Sequence, residues 1–487
     1  MKPNPMRKTP LARLLSLGAA AVLAGCSMAP TYERPAAPIA TDWPGLRLST
    51  SLASAPTRSP AVQTVSAADI EWQSFFSDPK LRLLIDAALR NNRDLRIAAL
   101  NIEQARAQFQ IRRADQYPTV GASATGTRQP AAGGNISSVY TAGLAMTSYE
   151  IDFFGRVASL KDAALAQYLA TEEGRKTTQI SLIATVANTY LSLLADEELL
   201  AITEQTLATR EESFKLSQLR FDNGITSELD LRQAESLAEA ARISRAQLQR
   251  QRALDENLLT LLVGQPLSGE LAAALPRGQA LADAPLMVDV PAGLPSDLLT
   301  KRPDIRQAEQ QLLSANANIG AARAAFFPRI SLTASAGSVS TSLSGLFESG
   351  SYGWTLAPQL FLPLFDAGRN RAGLDSANVN RDIAVAQYEK AIQTAFREVA
   401  DALAGRATLG EQLRAQQAQA DAEGVRFKLS DLRYQNGIAS QLDLLDAQRS
   451  LFAARQAVVQ TRLQQLQNQV TLYKTLGGGW KEPAAAP

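Results

Sequence analysis

The stretch that decides the fold is Phe214–Ala234, FKLSQLRFDNGITSELDLRQA, because the chain repeats it at Phe427–Ala447 as FKLSDLRYQNGIASQLDLLDA. Fourteen of the 21 aligned positions are identical, at a constant offset of 213 residues. Gly155 and Gly368 lie at the same offset, and the correspondence extends over roughly 180 residues with one short length difference. A repeat of this length predicts two tandem copies of one structural unit.

Each copy contains two long helical patterns on either side of the quoted turn. They predict helices over about 156–222 and 226–263 in the first copy, and over about 369–435 and 439–476 in the second. A helix of 67 residues extends about 100 Å, which no ordinary globular domain needs. The last helix also carries an apolar seam with coiled-coil spacing, formed by Val459, Leu463, Leu466, Val470 and Tyr473.

Before the long helices, each copy changes to strand periodicity. In ISLTASA, Ile330, Leu332 and Ala334 fall on one face of a strand, with hydroxyl side chains on the other. β-Hairpins are therefore predicted over about 118–154 and 328–366. Alternation over about ten residues with aromatic residues near the ends is typical of a transmembrane strand. A soluble hairpin packed on the helices is the alternative.

A membrane sheet of four strands requires further chains. Four strands cannot close into a barrel, and an open edge in lipid leaves backbone groups unpaired at a cost of several kcal/mol each. Two chains would give eight strands with a filled interior, whereas three would give twelve strands and a lumen. Cyclic symmetry with two equivalent units per chain favours the trimer.

The N-terminus predicts export and attachment to lipid. Basic residues precede the apolar run Leu14–Ala24, which is too short to span a bilayer, so residues 1–25 are interpreted as a signal peptide. LAGC, ending at Cys26, resembles the bacterial lipobox, which implies a lipidated (palmitate-bearing) Cys26. Ser27 follows it, and the implied address is the outer membrane. An ordinary signal peptide with an incidental cysteine is the alternative. Residues 26–68, rich in Pro, Ala, Ser and Thr, are predicted to be a lipid-anchored tether.

The composition argues against several classes of protein. The 487 residues include no His, which removes the commonest general base and metal ligand, and a single Cys, which excludes thiolate clusters. A formal net charge of +2 gives no ground for a nucleic-acid partner. We therefore predict no enzyme activity, no catalytic residue, no metal site and no cofactor.

Taken together, the motifs resemble the outer-membrane factors of the TolC/OprM type, and within them the lipoprotein branch. The resemblance covers nearly the whole chain after the signal peptide, and its carriers are LAGCSMAPTYERP, ADIEWQSFFSDPKL, VPAGLPSDLLTKRPDI, AARAAFFPRISL, FDAGR, AQYEKAIQTAFREVADAL and NGIASQLDLLDAQRSLF. It implies a mainly α fold with membrane β: a trimeric, 12-stranded β-barrel continued by a long periplasmic α-helical barrel with an equatorial belt.

The resemblance also implies a division of the chain. Repeat 1 would span 69–264 and repeat 2 would span 296–478, with a C-terminal tail at 479–487. Residues 265–295 would form an inter-repeat equatorial segment. The belt would draw on this segment, on the residues around 68–89 and on the C-terminal end.

The implied function is that of a passive exit duct in a tripartite multidrug efflux system, which contributes to antibiotic resistance. Its partners would be two further copies of the chain, a periplasmic adaptor (membrane fusion) protein, an inner-membrane transporter of the resistance-nodulation-division type, and outer-membrane lipid. A duct for type I secretion or metal efflux stays open as an alternative. So does a lipid-anchored coiled-coil scaffold that conducts nothing, although a scaffold has no use for lipid-facing strands.

The quoted stretch is predicted to form the turns at the periplasmic mouth. Asn-Gly ends a helix and permits positive φ, and a following Ser caps the returning helix. The candidates for the helix-turn tips and for adaptor contact are Asn223, Gly224, Ser227, Asn436, Gly437 and Ser440.

Just inside the turn the two copies differ. Leu229 matches Leu442, but Gln233 matches Asp446. The resemblance implies that Leu442 and Asp446 form the periplasmic gate, where three copies of the carboxylate would favour cations. An ordinary solvated carboxylate is the alternative. Further candidates, as polar links flanking the gate, are Arg433, Tyr434, Arg449 and Asp443.

Overall fold

The computed structural model describes residues 28–40, 43, 67–130, 133–285, 287–291, 293 and 295–480. Its α-helices are α1 (Trp72–Phe75), α2 (Pro79–Asn91), α3 (Arg93–Ala114), α4 (Arg156–Asp222), α5 (Glu228–Val263), α6 (Glu270–Ala274), α7 (Pro295–Lys301), α8 (Pro303–Ala324), α9 (Arg369–Gln435) and α10 (Gln441–Thr475). Short 3-10 turns lie at Ala67–Asp69 and Leu281–Asp283. The strands are β1 (Val120–Pro130), β2 (Ile136–Ile151), β3 (Arg329–Ser340) and β4 (Tyr352–Phe361).

The two returning helices begin later than their sequence patterns suggest. The patterns start at about 226 and 439, whereas α5 begins at Glu228 and α10 at Gln441. Ser227 and Ser440 have extended backbone, and each side chain accepts a hydrogen bond from the backbone three residues on. The cap residue cannot itself be helical, so the helix starts one position after it.

The contacts divide the chain into two units. The first contains residues 28–36, 101–172 and 307–389, and its centre is a four-stranded antiparallel sheet in the order β1-β2-β3-β4. Most side chains of β1 and β4 are exposed, including Trp354 and Leu360. Within the described residues, the outer edges of β1 and β4 have no partner strand. This sheet is therefore incomplete in one chain, both at its edges and on its faces.

An ion cluster fixes the sheet to the start of α4. Glu150, near the end of β2, lies 2.6 Å from the Arg156 guanidinium and 2.7 Å from that of Arg329 on β3. Asp152 accepts a hydrogen bond from the Ala158 backbone in the first turn of α4. Strand and helix are thereby joined by side chains whose carboxylates suit a helix N-terminus.

The N-terminal segment is docked on the first unit. Arg34 binds Glu309 of α8 with two hydrogen bonds of 2.7 and 2.9 Å, and Tyr32 donates to the same carboxylate at 3.0 Å. The Asn316 amide donates to the Pro30 carbonyl at 2.8 Å. This part of the predicted tether is thus held along α8. Cys26 lies outside the described residues.

In the second unit, the segments expected to form the belt pack against one another. Phe75 of α1 stacks on Tyr473 of α10 with the ring centroids 3.9 Å apart, and both side chains are buried. The Val288 amide donates to the Phe75 carbonyl, so the inter-repeat segment joins the same contact. Arg302 is buried as well, and its guanidinium lies 2.9 Å from Glu398 and donates to the Thr475 carbonyl.

Candidate gate at the helical turns

The two turns of the second unit have the same local construction. Gly224 and Gly437 have φ of 69° and 71°, a conformation that other residues adopt only with strain. The side chains of Asn223 and Asn436 donate back to the carbonyls of Leu219 and Leu432, which lie in the last helical turn. The same carbonyls also accept from the backbone N–H groups of the two asparagines, so each asparagine binds the last helical turn twice and closes its helix.

Each returning helix opens with a reciprocal cap. The Ser440 hydroxyl accepts from the Asp443 backbone at 3.2 Å, and the Ser440 backbone donates to the Asp443 carboxylate at 3.1 Å. Ser227 and Asp230 repeat the arrangement. The hydrogen bonds from Ser440 lower the pKa of Asp443. In this chain the Asp443 carboxylate therefore serves the cap, and its role as a link flanking the gate stays a prediction.

The positions that the repeat pairs lie at one cavity. Leu229, Gln233, Leu442 and Asp446 all line a cavity of about 330 Å³ between α5 and α10. The two leucines are exposed, with 67% and 57% of their surface accessible. Sequence comparison pairs these residues across 213 positions, and the fold places them side by side.

Asp446 is bound by two arginines of its own chain. Its Oδ2 lies 2.5 Å from Arg426 Nη2 on α9, and its Oδ1 lies 2.5 Å from Arg449 Nη2 one turn along α10. The hydrogen bonds from Arg449 and Arg426, and to a smaller extent their positive charges, hold the pKa of the Asp446 carboxyl below its ordinary value. The carboxylate is therefore ionised, and its charge is largely balanced where it faces the cavity.

A second set of polar contacts joins α4 to α9 and α10. The Arg220 guanidinium donates to the Tyr434 hydroxyl at 2.5 Å and lies over the Tyr434 ring, 5.1 Å from its centroid. The Gln441 amide donates to the Ser217 hydroxyl at 2.7 Å. These contacts connect the helical hairpin of repeat 1 to that of repeat 2 close to both turns.

Comparison with known protein families identifies the family of this chain. The model of the family described as "Outer membrane efflux protein" matches residues 84–265 and 294–478, one match for each repeat. The chain belongs to the outer membrane efflux protein family. The resemblance seen in the sequence motifs is thereby confirmed.

Relatives in this family are similar over almost the entire chain. The antibiotic efflux pump outer membrane protein ArpC of Pseudomonas putida is 49% identical over 477 residues, which is 96% of each chain. The toluene efflux pump outer membrane protein TtgC, also of Pseudomonas putida, has the same identity and the same coverage. The present chain is accordingly an outer-membrane efflux channel.

A solved structure confirms the fold class. The open-state crystal structure of the MtrE outer membrane channel from Neisseria gonorrhoeae is 40% identical, with a TM-score of 0.81 over 93% of this chain and 98% of that one. The predicted fold class, mainly helical with a membrane β-sheet, is confirmed by this likeness and by the observed helices and antiparallel sheet.

Within this efflux channel, the structure separates the predicted gate residues by role. Leu442, Asp446 and Arg449 share the cavity, and Tyr434 makes a link to Arg220. Arg433 is exposed, and the described residues give its guanidinium no ion pair. The six predicted tip residues form the turns and caps themselves.

Sequence reasoning missed Arg220 and Arg426. No local pattern marks Arg220, because its partner Tyr434 is 214 residues away in the chain. Arg426 could have been found from the repeat. At the offset of 213 residues, Ser213 corresponds to Arg426 and Ser236 corresponds to Arg449, so repeat 2 has an arginine at each position where repeat 1 has a serine. Both arginines that bind Asp446 are therefore specific to repeat 2, as Asp446 itself is.

Proposed function

We propose that this protein is the passive exit duct of a tripartite efflux system and conducts small toxic compounds, such as antibiotics and aromatic solvents, across the outer membrane. The relatives named for antibiotic and for toluene efflux, equally similar to this chain, support both classes of cargo. A periplasmic adaptor and an inner-membrane pump of the resistance-nodulation-division type would deliver the cargo. The duct itself carries out no chemical step.

The single observation that carries this proposal is the incomplete sheet. In the part of the chain that the structure describes, β1 and β4 each have one edge without a partner strand, and their side chains are exposed on both faces. In lipid such edges must be paired by other chains, and three copies supply twelve strands, enough for a barrel with a lumen. A homotrimer is therefore the assembly that we propose. A non-conducting scaffold would leave the apolar strand faces without a role.

The gate is proposed to be the set of residues at the cavity between α5 and α10. Leu442 would narrow the passage with apolar surface, and Asp446 would be held in place by Arg426 and Arg449. The link between Arg220 and Tyr434 would keep the two hairpins together in the resting state. Opening of the gate would then require these polar contacts to break and to be replaced by contacts with water or with the adaptor.

The tips of the turns are proposed to receive the adaptor. Ile225 and Ile438 occupy equivalent positions in the two turns and are 74% and 67% exposed. Exposed apolar side chains on a rigid, capped turn suit a protein partner better than they suit solvent. We further propose that Cys26 is lipidated and that residues 69–264 and 296–478 act as the two repeats of the duct wall.

The test is export together with conductance. Cells lacking their own exit duct would be supplied with this gene and with a cognate adaptor and pump, and accumulation of a fluorescent pump substrate would be measured. The purified protein would be studied in planar bilayers. We expect lower accumulation and discrete channel openings; protein that reaches the outer membrane but neither lowers accumulation nor conducts would contradict the proposal.

A further inference from the structure

One arginine of repeat 1 has two carboxylate partners that its counterpart in repeat 2 lacks. Arg242 of α5 donates to Glu211 Oε1 on α4 with distances of 2.8 and 3.2 Å. It also forms an ion pair with Glu239, three residues earlier on α5. The guanidinium is thus bound from both sides by carboxylates.

At the offset of 213 residues the arginine is kept and both carboxylates are replaced. Arg455 corresponds to Arg242, Gly424 to Glu211, and Phe452 to Glu239. The described residues give Arg455 no ion pair, and its side chain is exposed. Repeat 2 therefore has the cation of this site without its anions.

A cavity of about 160 Å³ lies at the position of the missing carboxylates. Gly424, Phe452 and Arg455 line it, together with Arg210 and Gln448. Its lining, as far as the structure describes it, includes two arginines and neither Asp nor Glu. A water molecule takes about 30 Å³ in the liquid, so the cavity has room for an ion of the size of phosphate.

Arg210 brings a second, buried cation to this cavity. Only 3% of the residue is exposed, its Nη1 donates to the Leu237 carbonyl at 3.0 Å, and its guanidinium lies 5.1 Å from the centroid of the Phe452 ring. Its Nε is buried without a hydrogen-bond partner among the described residues. The charged group near it is Arg449, and burial followed by this like charge lowers the pKa of Arg210.

A buried guanidinium with no counter-charge is costly, because it has lost water without gaining an anion. Two guanidinium groups and no described carboxylate in the lining of one cavity favour a ligand with oxygen acceptors and negative charge. Guanidinium groups match oxyanions well, since they offer parallel N–H donors.

We propose that a small oxyanion, such as inorganic phosphate or a carboxylate ion, binds in this cavity between Arg210 of α4 and Arg455 of α10. The ion takes the place that the Glu211 carboxylate has in repeat 1. It connects the two hairpins between the levels of Gln448 and Arg455, on the same helix that carries Leu442 and Asp446. Binding at this site does not depend on the proposed transport function.

The first test is equilibrium dialysis of the purified full-length protein in detergent, with radiolabelled inorganic phosphate and separately with radiolabelled acetate, at constant ionic strength in chloride. We expect saturable binding of about one ion per chain for at least one of the two probes. Arg210→Gln and Arg455→Gln are each expected to weaken that binding about tenfold or more. Arg245→Gln, an exposed arginine on α5, is the control and is expected to change nothing.

The second test places a side chain of the protein itself in the cavity. A Cβ built at Gly424 meets only Leu451 Cδ1 at 3.9 Å, an ordinary contact, so a longer side chain can enter. Gly424→Glu restores the carboxylate of repeat 1 and is expected to abolish ion binding. Gly424→Gln has a similar shape without the charge and is expected to retain binding.

The proposal is overturned if neither probe binds saturably to the wild-type chain. It is also overturned if binding persists unchanged in both Arg455→Gln and Gly424→Glu, whose side chains are at the surface or in open space and whose folding can be checked by circular dichroism. The outcome for these two variants decides the matter even if Arg210→Gln fails to fold.

Discussion

The Asp446 carboxylate lies 2.5 Å from the Arg426 guanidinium, which stands on the preceding helix of the same hairpin. This contact joins α9 to α10 directly beside the cavity that Leu442 lines. Arg449 also binds Asp446, and Glu423 lies 3.1 Å from Arg426, so two carboxylates and two guanidinium groups form a cluster without net charge. The ion selectivity of the resting channel should therefore depend on the two arginines as much as on the carboxylate.

Replacing both arginines by the residues of repeat 1 should expose the Asp446 charge. In Arg426→Ser with Arg449→Ser, three unpaired carboxylates per trimer would face the passage, and we expect the preference for cations over anions to rise about twofold or more. The reversal potential across a KCl gradient in planar bilayers measures this preference. Arg245→Ser is the matched control, and an unchanged reversal potential in the double variant would contradict the assignment.

The contact between Arg220 and Tyr434 should help to hold the hairpins together at rest. Tyr434→Phe keeps the ring over the guanidinium and removes only the hydroxyl, so we expect a loss of about 1 kcal/mol from the closed state and more frequent openings. Arg220→Ala removes the ring contact as well and should have the larger effect. Open probability in single-channel recordings distinguishes the two variants, and equal open probability in both variants and in the wild type would exclude a role for this contact.

The ionisation of Asp196 should make the stability of the fold depend on pH. Burial, followed by the negative charges of Asp255 and Glu197, raises the pKa of Asp196 to about 7, although Arg252 opposes the shift. The folded state therefore keeps a proton that the unfolded chain releases above about pH 4. The contribution of Asp196 to the free energy of unfolding is complete below about pH 4. It falls as the pH rises from about 4 to about 7 and changes no further above that.

The substitution Asp196→Asn removes this titration. We expect the variant to have a higher Tm than the wild type at about pH 8, by about 2 °C or more, and to match it more closely at about pH 5. Thermal unfolding followed by circular dichroism at both pH values measures the difference. A Tm difference that is the same at the two pH values would show that the carboxyl is not titrating between them.

Two facing glycines should be essential for pairing the repeats in the sheet. Gly143 of β2 lies opposite Gly337 of β3. A Cβ at Gly337 would come within 2.3 Å of the Ala142 carbonyl oxygen and 2.5 Å of Gly143 Cα. We expect Gly337→Val to reduce the yield of heat-resistant oligomer in the outer membrane about tenfold, since backbone cannot move aside.

The matched control for that substitution is Gly121→Val in β1. A Cβ at Gly121 has no atom within 4 Å in the chain, so the same change should be tolerated if neighbouring copies leave the space open. Gel electrophoresis of unheated membranes measures the oligomer. Equal yields of oligomer for Gly337→Val and for wild type would show that the two strands do not approach as closely as the structure has them.

Most of the long helices could be predicted from the sequence, because the residues that begin and end them are local signals. The ends of α4 and α9 follow from the Asn-Gly pairs, and the repeat itself fixes which residues correspond. The sequence pattern begins α5 two residues early, since periodicity continues through the cap residue although the backbone at Ser227 is extended. The register shift of the sheet between Met146 and Tyr149, with positive φ at Ser148, has no comparable signal in the sequence.

The site was predictable only in part, because its contacts join residues far apart in the chain. The mismatch of Gln233 with Asp446 is visible from the offset alone. The same alignment pairs Ser213 with Arg426, so the positive partner could have been found with it. The contact of Arg220 with Tyr434 could not, since only the packing of two hairpins brings those side chains together. The ends of the signal peptide, the tether and the two repeats stay predictions.

The measurement that tests the central claim most directly is the single-channel conductance of Leu442→Ala with Asp446→Ala, recorded in planar bilayers beside the wild type. If these residues close the passage, the resting conductance should rise about twofold or more, and cells carrying the variant should admit large antibiotics that the wild type excludes. A variant that assembles normally, with unchanged conductance and unchanged antibiotic entry, would contradict the gate.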